Sequence, residues 1–173
     1  MRFLFPLVLL FTAIGLGVYA YLGGLHTPTT ALETTAAPVL LAGQPFHGKV
    51  QDARFGELFR EAKDHYDAQP TARTLANLYY NNPESAHDSI RAFIGLAVPD
   101  TAASLPAGWR YRVVPAGQRV VISRVRGVSF LLAPGKLYAA AQQGIKDLRL
   151  NGQPFYLEQF GPGEQSELRV GVK

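Results

Sequence analysis

The sequence contains no cysteine, which excludes disulfide bonds, thiolate catalysis and metal sites with cysteine ligands. The four histidines, His26, His47, His65 and His87, are widely separated, and no two have the i, i+4 spacing of zinc ligands on a helix. The sequence also lacks a Gly-x-Ser-x-Gly nucleophile motif and a glycine-rich phosphate loop. We therefore expect neither a metal site nor a cofactor.

Charge is also sparse and mixed in sign. The formal net charge is +4, and because it is spread along the chain it favours anionic partners only weakly. Two interpretations stay open for a cluster of arginines: an anion or membrane-surface site, or a solvated outer face. No groove-reading helix or stacking platform accompanies this cluster, so we expect no nucleic-acid binding. Its members are Arg110, Arg112, Arg119, Arg124 and Arg126.

The N-terminus carries an uncharged apolar run from Phe3 to about Leu22, preceded by Arg2. A run of about 20 apolar residues is long enough to span a bilayer as a helix. A signal peptide cleaved after Ala20 and a buried core helix are the alternatives. We favour an uncleaved anchor over residues 1–25, because apolar character continues to Leu25. With Arg2 in the cytoplasm, this single-pass protein would hold its remaining residues on the non-cytoplasmic side.

The chain after the anchor divides into a short linker and one domain. Residues 26–37 are rich in threonine and alanine and contain a proline, which predicts an exposed linker. Residues 38–173 provide about 130 residues, enough to bury one hydrophobic core.

Two amphipathic helices and several short strands are predicted in this domain. Residues 54–69 place apolar side chains at i, i+3, i+4, i+7 and i+11, and residues 134–146 carry a second such stripe. We expect strands around both helices, with residues 109–114 and 119–126 paired as a hairpin. The chain thus reads as two β-α-β-β halves. The predicted fold class is α+β, a mostly antiparallel sheet with both helices on one side.

The candidate site centres on the last predicted hairpin, within residues 153–172. Tyr156, Glu158 and Phe160 share one face of its first strand, because side chains alternate with period two. If that face is buried, the carboxylate needs a partner or a ligand. An aromatic wall around one anion suits a flat or cationic organic molecule. The alternative is that Glu158 forms a structural ion pair with an arginine or lysine. Further candidates for the wall are Tyr80 or its neighbour Tyr79, Trp109, Tyr111 and Tyr138.

Two segments resemble the GyrI-like family, also called the AraC-type effector-binding or SOUL/GyrI fold. Residues 77–98, NLYYNNPESAHDSIRAFIGLAV, are similar to its Tyr-Tyr-x-Asn-Pro turn and following strand. Residues 155–172, FYLEQFGPGEQSELRVGV, are similar to its terminal strand with a glutamate before an aromatic residue. The resemblance covers roughly residues 38–173. It implies duplicated halves with a ligand groove between them, and it places Glu158 in that groove.

An anchor ahead of such a domain is most similar to the membrane-anchored ER-phagy receptors of this superfamily. Their long acidic tail, which carries the motif that binds autophagy proteins, has no counterpart here, so we do not expect receptor activity. The resemblance implies binding of a small hydrophobic or cationic organic ligand. Hydrolysis with Glu158 as acid or base, aided by Tyr138 or Tyr80, is an alternative. An interaction module with a vestigial groove and an unknown protein partner is another.

Overall fold

The computed structural model describes residues 4–68, 74–86, 89–102 and 104–173. These residues form an α+β fold, as predicted. The sequence also predicts that Pro70 ends the first amphipathic helix and that a strand begins at Asp88, but both residues lie outside the described ones. The helices are α1 (Leu4–Tyr21), α2 (Ala53–Ala68) and α3 (Ala133–Asp147), and the strands are β1 (Thr29–Thr34), β2 (Val39–Gly48), β3 (Thr74–Tyr79), β4 (Ile90–Ala97), β5 (Arg110–Val114), β6 (Arg119–Arg126), β7 (Gly152–Gly161) and β8 (Gln165–Val172).

All eight strands belong to one antiparallel sheet in the order β1-β6-β8-β7-β3-β4-β2-β5. The order is symmetric about the β7–β3 pair. On one side lie the strands of β2-α2-β3-β4, and on the other those of β6-α3-β7-β8, each half with its first strand outermost. This arrangement confirms the duplicated β-α-β-β plan.

Two predictions about the strands outside these halves are wrong. β5 does not form a hairpin with β6; it pairs with β2 at one edge of the sheet. The predicted linker contains β1, which pairs with β6 at the opposite edge. The physical reason is shared: the first strand of each half presents an open edge, and a neighbouring segment satisfies its backbone groups. Threonine-rich residues 29–34 suit this position, because β-branched side chains favour strands.

The sheet is strongly curled, as the lengths of two connections require. Five residue steps lead from β1 to β2, and five more from β5 to β6, so each connection spans at most ~18 Å. Each joins strands that are six positions apart in the sheet, which would be ~29 Å in a flat sheet. The face away from the helices therefore turns inward. Its apolar side chains are buried without a helix over them, including Leu41, Phe93 and Leu157.

Helices α2 and α3 pack on the other face, as their apolar stripes predict. Leu58 and Ala62 of α2 are buried, as are Leu137, Tyr138 and Ala141 of α3. The sequence predicts Asp52 as the N-cap of α2, and this is confirmed, since the backbone N–H of Arg54 donates to Asp52 Oδ1 at 2.9 Å. α2 packs on the strands of the first half, chiefly β4, and α3 packs on those of the second half, chiefly β6 and β8.

Helix α1 stands apart from this core. Within its 18 residues no side chain is buried, which excludes the core-helix interpretation. At 1.5 Å per residue it is ~27 Å long, close to the ~30 Å hydrocarbon thickness of a bilayer. By length and composition it fits a membrane span or a signal sequence.

Candidate functional site

Glu158 lies near the middle of β7, on the sheet face covered by the helices, and only 6% of it is exposed. Its partner across the seam between the two halves is Asn77 of β3. Asn77 Nδ2 donates a hydrogen bond to Glu158 Oε2 at 3.3 Å. Because side chains alternate along a strand, Tyr156 and Phe160 lie on the same face of β7 as Glu158. The duplication thus joins one polar residue from each half at the centre of the sheet.

A cavity of about 420 Å³ opens over this pair, between α2 and α3. Its floor is the sheet, and its walls are nearly all apolar. Two cationic side chains, Arg60 and Lys63 of α2, stand at its edge. Lys63 is paired with Asp67 at 2.6 Å. The other lining residues are Phe59, Leu75, Asn77, Tyr79, Phe130, Pro134, Glu158 and Phe160.

Burial raises the pKa of Glu158 from 4.5 to about 7, because a charged carboxylate loses its hydration there. The hydrogen bond from Asn77 and the nearby hydroxyls of Tyr138 and Tyr79 oppose this rise, and the charge of Glu84 adds to it. None of these groups is a cation. The predicted alternative of a structural ion pair is therefore not observed for Glu158 in the described part of the chain.

Two tyrosines, Tyr79 and Tyr138, lie beside the carboxyl group. Burial raises the pKa of Tyr79 and Tyr138, and the charge of Glu158 raises both further, so these phenols stay protonated. The Tyr138 hydroxyl lies within electrostatic reach of Glu158 but makes no aligned hydrogen bond to any described residue. The Tyr138 and Tyr156 rings are 6.0 Å apart. Neither ring belongs to the residues that line the cavity, although both were predicted to form its wall.

Three predicted wall residues lie elsewhere, and these placements correct the sequence analysis. Tyr80 faces the opposite side of the sheet, where the Arg112 guanidinium lies 5.0 Å from its ring centre. Trp109 donates its ring N–H to Glu61, and its ring lies 4.9 Å from that of His65. Tyr111 belongs to β5, four strands from β7, or ~19 Å in a flat sheet. Strand alternation separates Tyr80 from the cavity, and strand order separates the other two.

Sequence reasoning missed several residues of the cavity. Asn77 carries a visible signal, since it is a polar residue inside the apolar strand TLANLY. Its pairing with Glu158 is set by a register between residues 81 positions apart. Phe130 lies in the loop before α3, and its ring packs on Phe160 at 4.7 Å. No local pattern predicts that contact.

No family model matches the chain, and no curated protein matches it in sequence. Its fold is similar to several solved structures at low identity. An integron cassette protein from the mobile metagenome of Vibrio cholerae is 11% identical, with a TM-score of 0.61 over 85% of this chain and 96% of that one. The C-terminal domain of EcmrR is 14% identical, with a TM-score of 0.55 over 86% and 98%. A hydrolase from Listeria innocua is 11% identical, with a TM-score of 0.51 over 85% and 92%.

These likenesses show the fold. They support the α+β architecture that the resemblance implies. Each of the three is covered almost completely by the match, together with about 85% of this chain.

Proposed function

We propose that this protein is a membrane-anchored, non-enzymatic domain that binds a small, largely apolar organic cation in the cavity around Glu158. Helix α1 serves as the anchor in this proposal, on the support of its length and full exposure. The domain then lies on the non-cytoplasmic side, if Arg2 stays in the cytoplasm.

The observation that carries the proposal is an uncompensated carboxyl group at the base of an apolar cavity. Burying a carboxylate is costly unless a partner offsets the lost hydration, and Glu158 has only neutral hydrogen-bond donors around it. Asn77 Oδ1 is also buried with no hydrogen-bond partner among the described residues. A ligand with a cationic or N–H donor group would satisfy both oxygens.

The remaining lining suits the apolar body of such a ligand. Phe59, Phe130 and Phe160 present aromatic surface, and an aromatic face attracts a cation as well as apolar groups. A volume of about 420 Å³ lies in the range of pockets for small organic molecules. The fold shared with the EcmrR domain and the resemblance to effector-binding domains support the same conclusion.

The test is calorimetry of the full chain in detergent micelles with tetraphenylphosphonium, an apolar organic cation. We expect stoichiometric, saturable binding that Glu158→Gln weakens at least about tenfold, since the substitution removes the charge and keeps the shape. Glu167→Gln is the matched control, because that carboxylate lies on the opposite face of the sheet and is held by arginines. Equal affinity in the native chain and Glu158→Gln would contradict the proposal.

Hydrolysis is the second candidate, and one observation favours it. A carboxyl group with a pKa of about 7 beside protonated phenols can give or take a proton near neutral pH. Tyr138 and Tyr79 are the neighbours that would assist, whereas Tyr80 points away. Recovery of the unchanged ligand after prolonged incubation would exclude this candidate, and turnover abolished by Glu158→Gln would establish it.

A further inference from the structure

The loop that walls the cavity is hydrogen bonded to the end of the apolar helix. Ser129 N donates to the carbonyl of Leu22 at 3.0 Å, one residue beyond α1. Lys136 Nζ, in the first turns of α3, donates to the carbonyls of Gly24 at 2.6 Å and His26 at 2.9 Å. His26 Nδ1 is 2.9 Å from the carbonyl oxygen of Arg126. These contacts fix residues 22–26 against residues 126–136.

This attachment places the loop at a definable depth if α1 spans a bilayer. Leu131 is two residues from Ser129, so their Cα atoms are at most ~8 Å apart. The polar interface beside the hydrocarbon core is ~5–8 Å thick on each side. The loop therefore lies within or directly against that interface, whatever the tilt of the helix.

The side chains of this region match an interfacial position. Leu131 is 79% exposed and Leu25 is 74% exposed, although Leu131 lies two residues from Ser129 and Leu25 lies between Gly24 and His26, all three of which are hydrogen bonded in the attachment. If α1 spans a bilayer, both leucines lie at the level of the interface, where exposed apolar side chains can enter lipid. Phe130, between Ser129 and Leu131, is half exposed and also lines the cavity.

We propose that the cavity is filled from the membrane: an apolar organic cation dissolved in the bilayer interface enters past the loop formed by Phe130 and Leu131. The inference rests on the proposed function and deepens it, since it restricts the ligand to molecules that partition into lipid. The edge of the cavity on α2 carries Lys63, which is paired with Asp67, and Arg60, whose positive charge disfavours entry of a cation from water on that side. The edge of the cavity at the loop carries Phe130 and Pro134, which are uncharged and do not repel a cation.

The position of the loop is tested with the full chain in liposomes and a fluorophore on a single cysteine. The chain has no native cysteine, so Leu131→Cys and Leu148→Cys each give one labelled site. Leu148 is the matched control: it is an exposed leucine at the other end of α3, ~22 Å away along the helix. We expect lipids with a quencher near the headgroup to quench the Leu131 label several-fold more than the Leu148 label. Equal quenching at the two sites would overturn the inference.

The route is tested by uptake of tetraphenylphosphonium from loaded liposomes. Leu131→Asp is expected to reduce saturable uptake at least about fivefold, because a carboxylate at the interface withdraws the loop from lipid. Leu148→Asp is expected to leave uptake unchanged. If both variants take up the probe like the native chain, the membrane route is overturned while ligand binding stands. If the native chain itself binds no probe, the proposed function fails, and the membrane route fails with it.

Discussion

Two glutamates on neighbouring strands show how differently one fold treats the same side chain. Glu158 of β7 faces the helices, is nearly fully buried and has no cationic partner among the described residues. Glu167 of β8 faces the other side of the sheet, where Arg124 and Arg169 each donate to it at 2.7 Å. Arg124 also binds Glu33 of β1 at 2.6 Å and thereby lowers the pKa of that carboxyl group.

The difference separates a structural role from a chemical one. The charge of Glu167 is balanced by arginines in an ion-pair network that links β1, β6 and β8 at the surface. Burial disfavours the charged form of Glu158, and its carboxyl group faces an apolar cavity, where it can interact with a ligand. The carboxylate with the less stable charged form is therefore the functional candidate.

The largest expected effect that distinguishes the two glutamates is on stability as a function of pH. The folded-state pKa of Glu158 is raised, so its stabilising contribution is complete below pH 4.5 and is lost as pH rises through 7. The loss is on the order of 3 kcal/mol in the free energy of unfolding. Urea unfolding between pH 4.5 and 8.5 should show this decline in the native chain but not in Glu158→Gln. Parallel profiles in the two proteins would contradict the assignment.

A smaller effect is expected from the phenol beside Glu158. Tyr138→Phe removes a hydroxyl that lowers the pKa of Glu158, so the carboxylate should become harder to form. We expect a loss of about 1 kcal/mol in the free energy of unfolding at pH 8 and almost none at pH 4.5. Tyr156→Phe is the control, since the Tyr156 hydroxyl is not among the groups that shift Glu158. An equal loss at both pH values would indicate a packing role only.

The smallest effect concerns Glu167. Glu167→Gln removes two partly exposed ion pairs, each worth ~0.2–1 kcal/mol. The loss in the free energy of unfolding should shrink in 1 M salt, because salt screens exposed charges. Binding of tetraphenylphosphonium should be unchanged. A loss that is insensitive to salt would show that the network acts through packing instead of charge.

Local sequence patterns predicted the helices and strands well, because apolar periodicity is a local property. The apolar stripe of α2 appears where expected, and Pro134 lies in the first turn of α3, where a helix tolerates proline. Strand partners were less predictable: β5 is adjacent in sequence to β6 yet pairs with β2. Edge pairing depends on how the whole sheet curls, which no short segment encodes.

The residues of the candidate site also divide into those that local sequence predicts and those that depend on the packing of distant segments. Alternation along β7 alone places Tyr156, Glu158 and Phe160 on one face. The choice between Tyr79 and Tyr80 requires the register of β3 against β7, and a shift of one residue exchanges the two faces. Phe130 and Pro134 enter the cavity only through the packing of α3 on the sheet.

The central claim, that the charge of Glu158 binds the ligand, is tested most directly by the pH dependence of cation binding. Calorimetric affinities for tetraphenylphosphonium should be measured from pH 5 to pH 9 in the native chain and in Glu158→Gln. The account predicts that the native affinity rises about tenfold per pH unit up to pH 7 and then levels off, while the variant stays weak and flat. An affinity that is independent of pH in the native chain would contradict it.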